Sequence, residues 1–422
     1  MARNPQTKTG NAIDTLRVDM RRLMGDIDQM ATINRQTDGS CCRVALTDAD
    51  RDGRRLALGW FEEAGLEISI DPVGNIFAMR QGSETTAPVM TGSHLDTVAT
   101  GGRLDGVLGV LAGLEVLRTL NDARIETRRP IALAVFTNEE GVRFQPDMMG
   151  SLVFSGQLDL QTALESRATR GGPSLGEELR RTGFDGSARL GELKPAVFVE
   201  LHIEQGPVLH RNGAVLGAVA DLQGISWQEI TITGTSNHAG TTPMEMRHDA
   251  AYCAGRIAVF VRELCARVGG RQLATVGRID LTPNMVNVIA REATLTVDLR
   301  NTSNDDLLVA EAELQRFLSD LENSAGVGIA CRRLARTEPV QFDANTVALI
   351  EETARRLGHP IMRMTSGAGH DAQMLAKVAP TAMIFVPSVD GISHNPGEHT
   401  DPKHIEIGAN VLLHTLFRLA SA

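Results

Sequence analysis

The sequence predicts an α/β protein of two domains, in which a smaller domain is inserted into a larger one built from two segments. Three observations support this prediction. The chain has 422 residues, too many for one compact core. Short apolar runs alternate with amphipathic stretches on both sides of a central region, which is typical of a mixed, largely parallel sheet flanked by helices. Within the central region the strands change to a half-exposed, alternating pattern.

The first segment of the large domain is expected over residues 1–216. Helices are predicted over 13–34 and 48–64, where apolar residues recur at helical spacing. A third helix is predicted over 105–120, behind the glycine-rich turn TGGRLDG. Almost wholly apolar runs predict strands over 66–70, 74–79, 88–91, 131–136 and 196–201.

The inserted domain is expected over residues 217–336. ISWQEITITG (225–234) alternates with the period of two that a half-exposed strand requires. Further patterns predict a helix over 247–268, strands over 273–281 and 292–300, a helix over 304–323 and a strand over 327–336. The resulting order β-α-β-β-α-β is that of a ferredoxin-like α+β domain.

The second segment of the large domain is expected over residues 337–422, where the apolar α/β pattern returns. The predicted elements are a helix over 344–357, a strand over 361–365, a helix over 370–378, a strand over 381–386 and a helix from about 404. These elements are expected to complete the sheet that the first segment begins.

Composition excludes several classes of function. The formal net charge is −10 and the pI about 5.6, which argues against nucleic acid or an anionic membrane as a partner. No apolar stretch has the length of a membrane span, and the polar start MARNPQTKTGN lacks an apolar signal region. The five cysteines show no C-x-x-C spacing. We therefore expect a cytoplasmic protein with reduced thiols.

Histidines and carboxylates follow several predicted strands of the large domain. Singly, each is as easily explained as a cap or a solvated loop residue. Together they offer nitrogen and oxygen donors without thiols, a set that suits zinc, manganese, cobalt or nickel. Five ligands and a spare carboxylate fit two ions that share one carboxylate. These six residues are His94, Asp105, Glu139, Glu140, His202 and His394.

Asp96 adds a carboxylate beside the first histidine. It follows His94 by two positions in MTGSHLDTV, and residues two apart in extended chain face the same way. We therefore expect its carboxylate to reach the ring of His94 and fix the tautomer, as outer carboxylates do for metal-bound histidines.

The motifs, taken in order, resemble those of a known family. GSHLDTV, GGRLDG, TNEEG, ELHIEQGPVL, SNHAGTTPM, VNVI, DLR and SGAGHDA are similar to the M20-type metal-dependent hydrolases, specifically their hydantoinase/carbamoylase branch. The resemblance runs from about residue 13 to the C-terminus. It implies a catalytic domain with two divalent metal ions and an inserted lid domain that forms a homodimer.

Roles at the metal site come from the resemblance, motif by motif. It implies that Asp105 bridges the two ions, and that His94 and His202 complete the ligands of one. Glu140 and His394 would complete those of the other, while Glu139 would act as general base. Two adjacent glutamates at a strand end point in different directions, so one can hold a metal while the other meets water.

The resemblance also implies substrate contacts. Arg300, at the end of a strand of the inserted domain, matches the arginine that binds the substrate carboxylate. His238 of the same domain matches a histidine that stabilises the oxyanion, reaching it by lid closure or from a partner subunit. Asn287 and Gln205 match further family positions that contact the substrate. The glycine-rich turn SGAGHD is expected to offer backbone donors to the substrate at Gly369, with His370 beside them.

The predicted activity is hydrolysis of the ureido C–N bond of N-carbamoyl-L-amino acids to an L-amino acid, CO2 and ammonia. Allantoate amidohydrolase and β-ureidopropionase are the alternatives on the same machinery. An aminoacylase or dipeptidase is a more distant one, since peptidase relatives typically carry an acidic residue where this chain has His202. A binding or scaffold protein would be expected to have lost ligands or the base, and none is missing.

Overall fold

The computed structural model describes residues 15–169 and 171–422. It separates two compact units, one formed by the described residues up to Ala220 with Phe342–Ala422, and the other by Asp221–Gln341. The sequence placed the insertion at 217–336. The predicted start of the first helix, at residue 13, lies outside the described residues.

The first segment of unit 1 alternates helices with short strands. Its elements are α1 (Met20–Thr32), α2 (Asp48–Glu63), β1 (Glu67–Ile70), β2 (Ile76–Arg80), β3 (Val89–His94), α3 (Val107–Asp122), β4 (Ile131–Phe136), α4 (Met149–Phe154), α5 (Leu160–Glu165), α6 (Leu175–Thr182), β5 (Val197–Ile203), α7 (Val208–Arg211) and β6 (Gly217–Leu222).

Unit 2 has the order β-α-β-β-α-β. Its elements are β7 (Gly224–Thr233), α8 (Ala250–Val268), β8 (Leu273–Thr282), β9 (Glu292–Asn301), α9 (Asn304–Ala325) and β10 (Gly328–Thr337), with the short strand β11 (Val340–Gln341) behind them. The chain then returns to unit 1 with α10 (Ala344–Arg356), β12 (Met362–Ser366), α11 (Asp371–Leu375), β13 (Thr381–Val386) and α12 (Pro402–Ser421).

The sheet of unit 1 is mixed, with a parallel centre. Its strand order is β1-β2-β4-β3-β5-β13-β6, and β12 also pairs with β6. The pairs β4–β3, β3–β5 and β5–β13 are parallel, whereas β1–β2, β2–β4 and β13–β6 are antiparallel. Every residue of β3, β4, β5 and β13 is buried, as the near-continuous apolar runs predict for strands covered on both faces.

The parallel strands bring polar residues to one edge of this sheet. His94, the last residue of β3, lies in register with Phe136, the last residue of β4. On the other side, His202 of β5 lies in register with Phe385 of β13. Because parallel strands end at the same edge, the turns that follow them meet there.

Unit 2 is a four-stranded antiparallel sheet of order β10-β7-β9-β8. Alternate residues of β7 and β9 face its core, and α8 and α9 bury one stripe each against them. The strand order is that of a ferredoxin-like domain. Among the residues the model describes, no helix combines the length and continuous apolarity that crossing a bilayer requires.

Candidate metal centre

Asp105 is the residue at which two donor sets meet. Its Oδ1 lies 3.3 Å from Nε2 of His202 and 3.9 Å from Nε2 of His94. Its Oδ2 lies 3.2 Å from Nε2 of His394, and that nitrogen is 3.4 Å from Oε2 of Glu140. One carboxylate therefore presents one oxygen to each of two groups of potential metal ligands, which is the arrangement that a bridging ligand needs.

These distances suit a pair of divalent cations. Ligand atoms around a tetrahedral zinc lie about 3.4 Å apart when each is about 2.1 Å from the ion. The groups His94–Asp105–His202 and Asp105–Glu140–His394 each gather their donor atoms within 4.8 Å. Imidazole and carboxylate donors suit zinc and other first-row divalent metals. The residues present thus fit the divalent metal ion that the ligand clusters indicate.

The turn before α3 places Asp105 close to a histidine ring. Gly106 has φ +67, and a Cβ built on it would lie 2.4 Å from Cε1 of His94. A side chain at this position would collide with the ring, because the backbone of the turn passes directly over it. Glycine is therefore required here both by conformation and by space.

Glu139 and Glu140 follow the end of β4 and face different partners. Glu139 Oε2 lies 3.4 Å from Nε2 of His94. Glu140 directs Oε2 to His394 and Oε1 to the N–H of Val98, which donates to it over 3.3 Å. Adjacent side chains at the strand end thus contact different histidines, although Glu139, Glu140 and His94 also bring one donor atom each within 4.8 Å of one another.

Asp96 contacts the backbone of the turn that carries Glu139 and Glu140, and not the ring of His94. The predicted contact with the ring was therefore wrong. Its Oδ1 accepts the N–H of Glu139 and its Oδ2 that of Glu140, each at 3.3 Å. The ring Nδ1 of His94 lies instead 2.9 Å from the backbone oxygen of Asp96. The prediction assumed extended chain through Asp96, but β3 ends at His94, so the two-residue alternation stops there.

The site concentrates buried charge. Burial, and then the neighbouring carboxylates Asp371 and Glu140, raise the pKa of Glu139 well above its ordinary value. Burial, followed by the charge of Asp105, raises the pKa of Glu140 to about 8. A divalent cation among these carboxylates would favour their ionised forms, because opposite charge at short range stabilises the charged state.

The histidines respond to the same charges. Although burial opposes it, hydrogen bonds from His202 and His394 hold the pKa of Asp105 well below its ordinary value. Burial lowers the pKa of His94 to about 4, so its ring is neutral and able to bind a metal. The hydrogen bond to Asp105 raises the pKa of His394 to about 9.

Gln205 lies at the edge of the centre. Its Nε2 donates to Oδ2 of Asp105 over 3.0 Å, and its backbone N–H donates to Oγ of Ser388. Its Oε1 is buried and has no hydrogen-bond partner. A buried acceptor without a partner, beside the candidate metal ligands, suits a bound molecule that can donate a hydrogen bond to it.

Gly369 and His370 lie in the turn between β12 and α11. Gly369 is half-buried. The His370 ring packs 4.5 Å from that of His202 and 5.5 Å from that of Phe385, and its Nε2 lies 3.1 Å from Oγ of Ser366. His370 therefore packs against His202, a candidate metal ligand, and the expected contact of this turn with substrate stays a prediction.

In unit 2, His238 and Asn287 lie on adjoining loops. His238 forms an isolated bridge with Val288, and Ala239 N–H donates to the backbone oxygen of Asn287 over 3.0 Å. His238 is exposed, and its Nδ1 accepts the N–H of Gly240, so the proton of a neutral ring is on Nε2. Both side chains are therefore presented at one end of the unit 2 sheet.

Arg300 lies far from these two loops within unit 2. The ladder pairs Glu292 with Thr233 at the end next to the loops, and Arg300 with Ile225 near the other end. Eight positions along a strand correspond to about 26 Å. Arg300 forms a salt bridge of 3.0 Å with Asp298. A single copy of unit 2 therefore does not bring Arg300 together with His238 and Asn287.

Two residues near the candidate metal ligands were not identified in the sequence analysis. Glu200 accepts Oγ–H of Ser93 over 2.7 Å and the N–H of Ala372 over 3.0 Å, and groups with His202 and His370. It shares the face of His202 two positions later in β5, a signal that was available in the sequence. Glu398 touches the Asp105 turn from a separate loop, and no local pattern announces that contact.

Comparison with known proteins places these observations in a family. The model of peptidase family M20/M25/M40 matches residues 90–418. An N-carbamoyl-L-amino-acid amidohydrolase of Rhizobium meliloti is 41% identical over 405 residues, which cover 96% of this chain and 97% of that protein. An allantoate amidohydrolase of Escherichia coli K12 is 36% identical, covering 85% of this chain and 87% of its own.

Solved structures agree. A crystal structure of a hydantoinase/carbamoylase family amidase from Burkholderia multivorans superposes with a TM-score of 0.94 at 44% identity. The match covers 97% of this chain and 99% of that one.

Proposed function

The chain belongs to peptidase family M20/M25/M40, and from that premise we propose that it hydrolyses the ureido C–N bond of N-carbamoyl-L-amino acids. The products are an L-amino acid, CO2 and ammonia. The observation that carries the proposal is the sharing of Asp105 between two donor sets, with the carboxylate of Glu139 beside them.

Two divalent ions, zinc or alternatively manganese, cobalt or nickel, are proposed for the centre. His94, Asp105 and His202 would hold one, and Asp105, Glu140 and His394 the other. When bound, such ions act as Lewis acids that make water a stronger acid and draw charge from a carbonyl oxygen. The protein's part is to fix the donors: His202 Nδ1 lies 2.9 Å from the backbone oxygen of Ile203, which directs Nε2 towards Asp105.

Glu139 is proposed as the general base. It takes a proton from the water that attacks the ureido carbon and delivers a proton to the departing nitrogen. Its backbone N–H is held by Asp96, so its position does not depend on the substrate. The unsatisfied Oε1 of Gln205 would accept an N–H of the ureido group, which offers donors on both nitrogens.

Arg300 is proposed to bind the substrate carboxylate through its guanidinium group. Asp298 already holds that group, with its Oδ2 3.1 Å from Nε and 3.0 Å from NH2 of Arg300. The pairing orients the guanidinium before substrate arrives, which reduces the entropy lost on binding. A substrate carboxylate must therefore share the guanidinium with Asp298.

His238 and Asn287 are proposed to contact the same substrate, His238 as a donor to the oxyanion. Their separation from Arg300 along the unit 2 sheet, about 26 Å, is much longer than a carbamoyl amino acid. All three residues can serve one substrate only if they come from two chains. We therefore propose a homodimer, and exposed apolar side chains on unit 2, such as Tyr252, Val259 and Ile279, support it.

Allantoate amidohydrolase is the second candidate, because two relatives carry that name at 33% and 36% identity. β-Ureidopropionase stays a third, and an aminoacylase or dipeptidase a more distant one. The decisive experiment supplies the metal-loaded protein with N-carbamoyl-L-amino acids, allantoate, 3-ureidopropionate, N-acetyl amino acids and dipeptides. The proposal expects the highest kcat/KM on the first group. Turnover of allantoate alone would transfer the assignment to the second candidate.

A further inference from the structure

Glu398 joins the two turns that carry Asp105 and His394. It follows His394 by four positions in the segment SHNPGEHT, and only 6% of it is exposed. Its Oε1 accepts the N–H of Leu104 over 2.9 Å and that of Asp105 over 3.2 Å. A single carboxylate oxygen from the loop after β13 therefore caps the backbone of the turn before α3.

Its other oxygen connects to the side chain of Asp105. Oγ of Ser393 lies 3.1 Å from Oε2 of Glu398 and 3.1 Å from Oδ2 of Asp105. Ser393 immediately precedes His394, whose Nε2 faces the same Oδ2. The chain of contacts thus runs from Glu398 to the oxygen of Asp105 that belongs to the second donor set.

The turn is shaped to admit this carboxylate. A Cβ built on Gly102 would lie 2.1 Å from Oε1 and 2.3 Å from Cδ of Glu398. Alanine at position 102 would therefore push the glutamate off the turn. The φ of Gly102 does not require glycine, so the requirement here is for space.

We propose that Glu398 is a positioning residue of the metal centre, which holds the Asp105 and His394 turns in the register that forms the second donor set. The inference rests on the proposed function, because it presupposes that this set binds an ion. His94 and His202 stand on β3 and β5 and do not depend on Glu398 for their placement. Loss of Glu398 is therefore expected to affect the ion of His394 and Glu140 more than the other.

The test measures zinc binding rather than turnover. Metal-free protein is titrated with Zn²⁺ against a chromophoric chelator, which reports the number and affinity of bound ions. The wild type is expected to bind two. Glu398→Ala is expected to weaken the second ion at least about tenfold and the first ion less. Glu398→Gln should restore binding, because its amide oxygen accepts both N–H groups and its NH2 donates to Ser393.

Glu115→Ala is the matched control. Glu115 is a buried glutamate of α3, ten residues after Asp105, whose Oε1 accepts the N–H of Asp19 and the hydroxyl of Thr119 and whose Oε2 accepts Nε–H of Arg22. None of these partners belongs to either donor set. It is expected to lower thermal stability and leave both zinc affinities unchanged. Equal weakening by Glu115→Ala and Glu398→Ala would mean general loosening of the fold and would overturn the proposal.

Gly102→Ala gives the same test if Glu398→Ala does not fold, and it should likewise weaken the second ion. Two ions bound at wild-type affinity by the folded Glu398→Ala or Gly102→Ala protein would overturn the positioning role while leaving the proposed function intact. A wild-type chain that takes up no zinc would overturn the proposed function itself, and the inference with it.

Discussion

Glu139 Oε2 lies 3.4 Å from Nε2 of His94, which puts the proposed base beside a residue of the first donor set. Glu139→Gln keeps the shape of the side chain and removes its basicity. We expect both ions to remain bound and kcat to fall by about 10²–10⁴-fold, the usual contribution of a general base. Steady-state kinetics with a metal assay checks this, and a kcat near that of the wild type would contradict the assignment.

Removal of the metal should abolish activity and lower stability. Ions that bind only the folded chain stabilise it by about 2.7 kcal/mol each when present at 100 times their Kd. A strong chelator should therefore lower the Tm of the protein, and added zinc, manganese, cobalt or nickel should restore both the Tm and turnover. Activity that persists after complete removal of metal, verified by elemental analysis, would refute a metal-dependent mechanism.

Arg300→Ala should raise KM for substrates that carry a carboxylate. The loss of charge-assisted hydrogen bonds, about 1.5–3 kcal/mol, corresponds to a decrease in kcat/KM of about 10- to 150-fold. A carbamoylated amine without a carboxylate serves as control substrate and should be unaffected. Asp298→Asn is the control variant, because it loosens the salt bridge but leaves the guanidinium. Equal kinetics of Arg300→Ala and wild type would place the carboxylate elsewhere.

Mixing two inactive variants tests the two-chain arrangement. If His238 and Arg300 serve one substrate from different chains, a mixed dimer of His238→Ala and Arg300→Ala contains one intact site and one doubly altered site. Co-refolding equal amounts should therefore recover roughly a quarter of wild-type activity, since half of the dimers are mixed. Absence of any recovery, with mixed dimers verified by mass spectrometry, would mean that one chain supplies both residues.

Asp71 should make stability depend on pH. Burial, against hydrogen bonds from Asn75 and Val73, raises its pKa from 3.8 to about 6. The folded state then holds the proton more tightly than the unfolded state, so this contribution to stability is complete below pH 3.8 and is lost as the pH rises through 6. The loss amounts to about 3 kcal/mol. The free energies of unfolding in urea of the metal-free wild type and of Asp71→Asn, plotted against pH, should converge at acid pH. Two parallel plots would contradict this prediction.

The sequence predicted the elements that carry the ligands because their signals are local. β4 is a six-residue apolar run ending directly before the polar turn of Glu139, and β3 and β5 end in the same way near His94 and His202. The alternation of β7 similarly identified the change of architecture at unit 2. Functional residues at the ends of parallel strands can be predicted to lie close together, since the topology of the sheet alone brings those ends to one edge.

The features that were not predicted depend on where strands end in turns, on very short helices, and on contacts between residues far apart in the chain. The orientation of Asp96 follows from where β3 stops, and a boundary of one or two residues is not readable from periodicity. The short helices α4, α5 and α6 received no assignment, because six to eight residues offer too few turns for a helical period to emerge. Glu398 caps residues 294 and 293 positions away, a pairing that only the fold creates.

Because Asp105 belongs to both donor sets, a substitution of Asp105 would weaken the two proposed ion sites together. A substitution of His94 or of His394 would instead affect one proposed ion site and leave the other intact. A descendant working with a single ion would therefore arise by alteration of an outer ligand, and the central aspartate would be the last of the set to change.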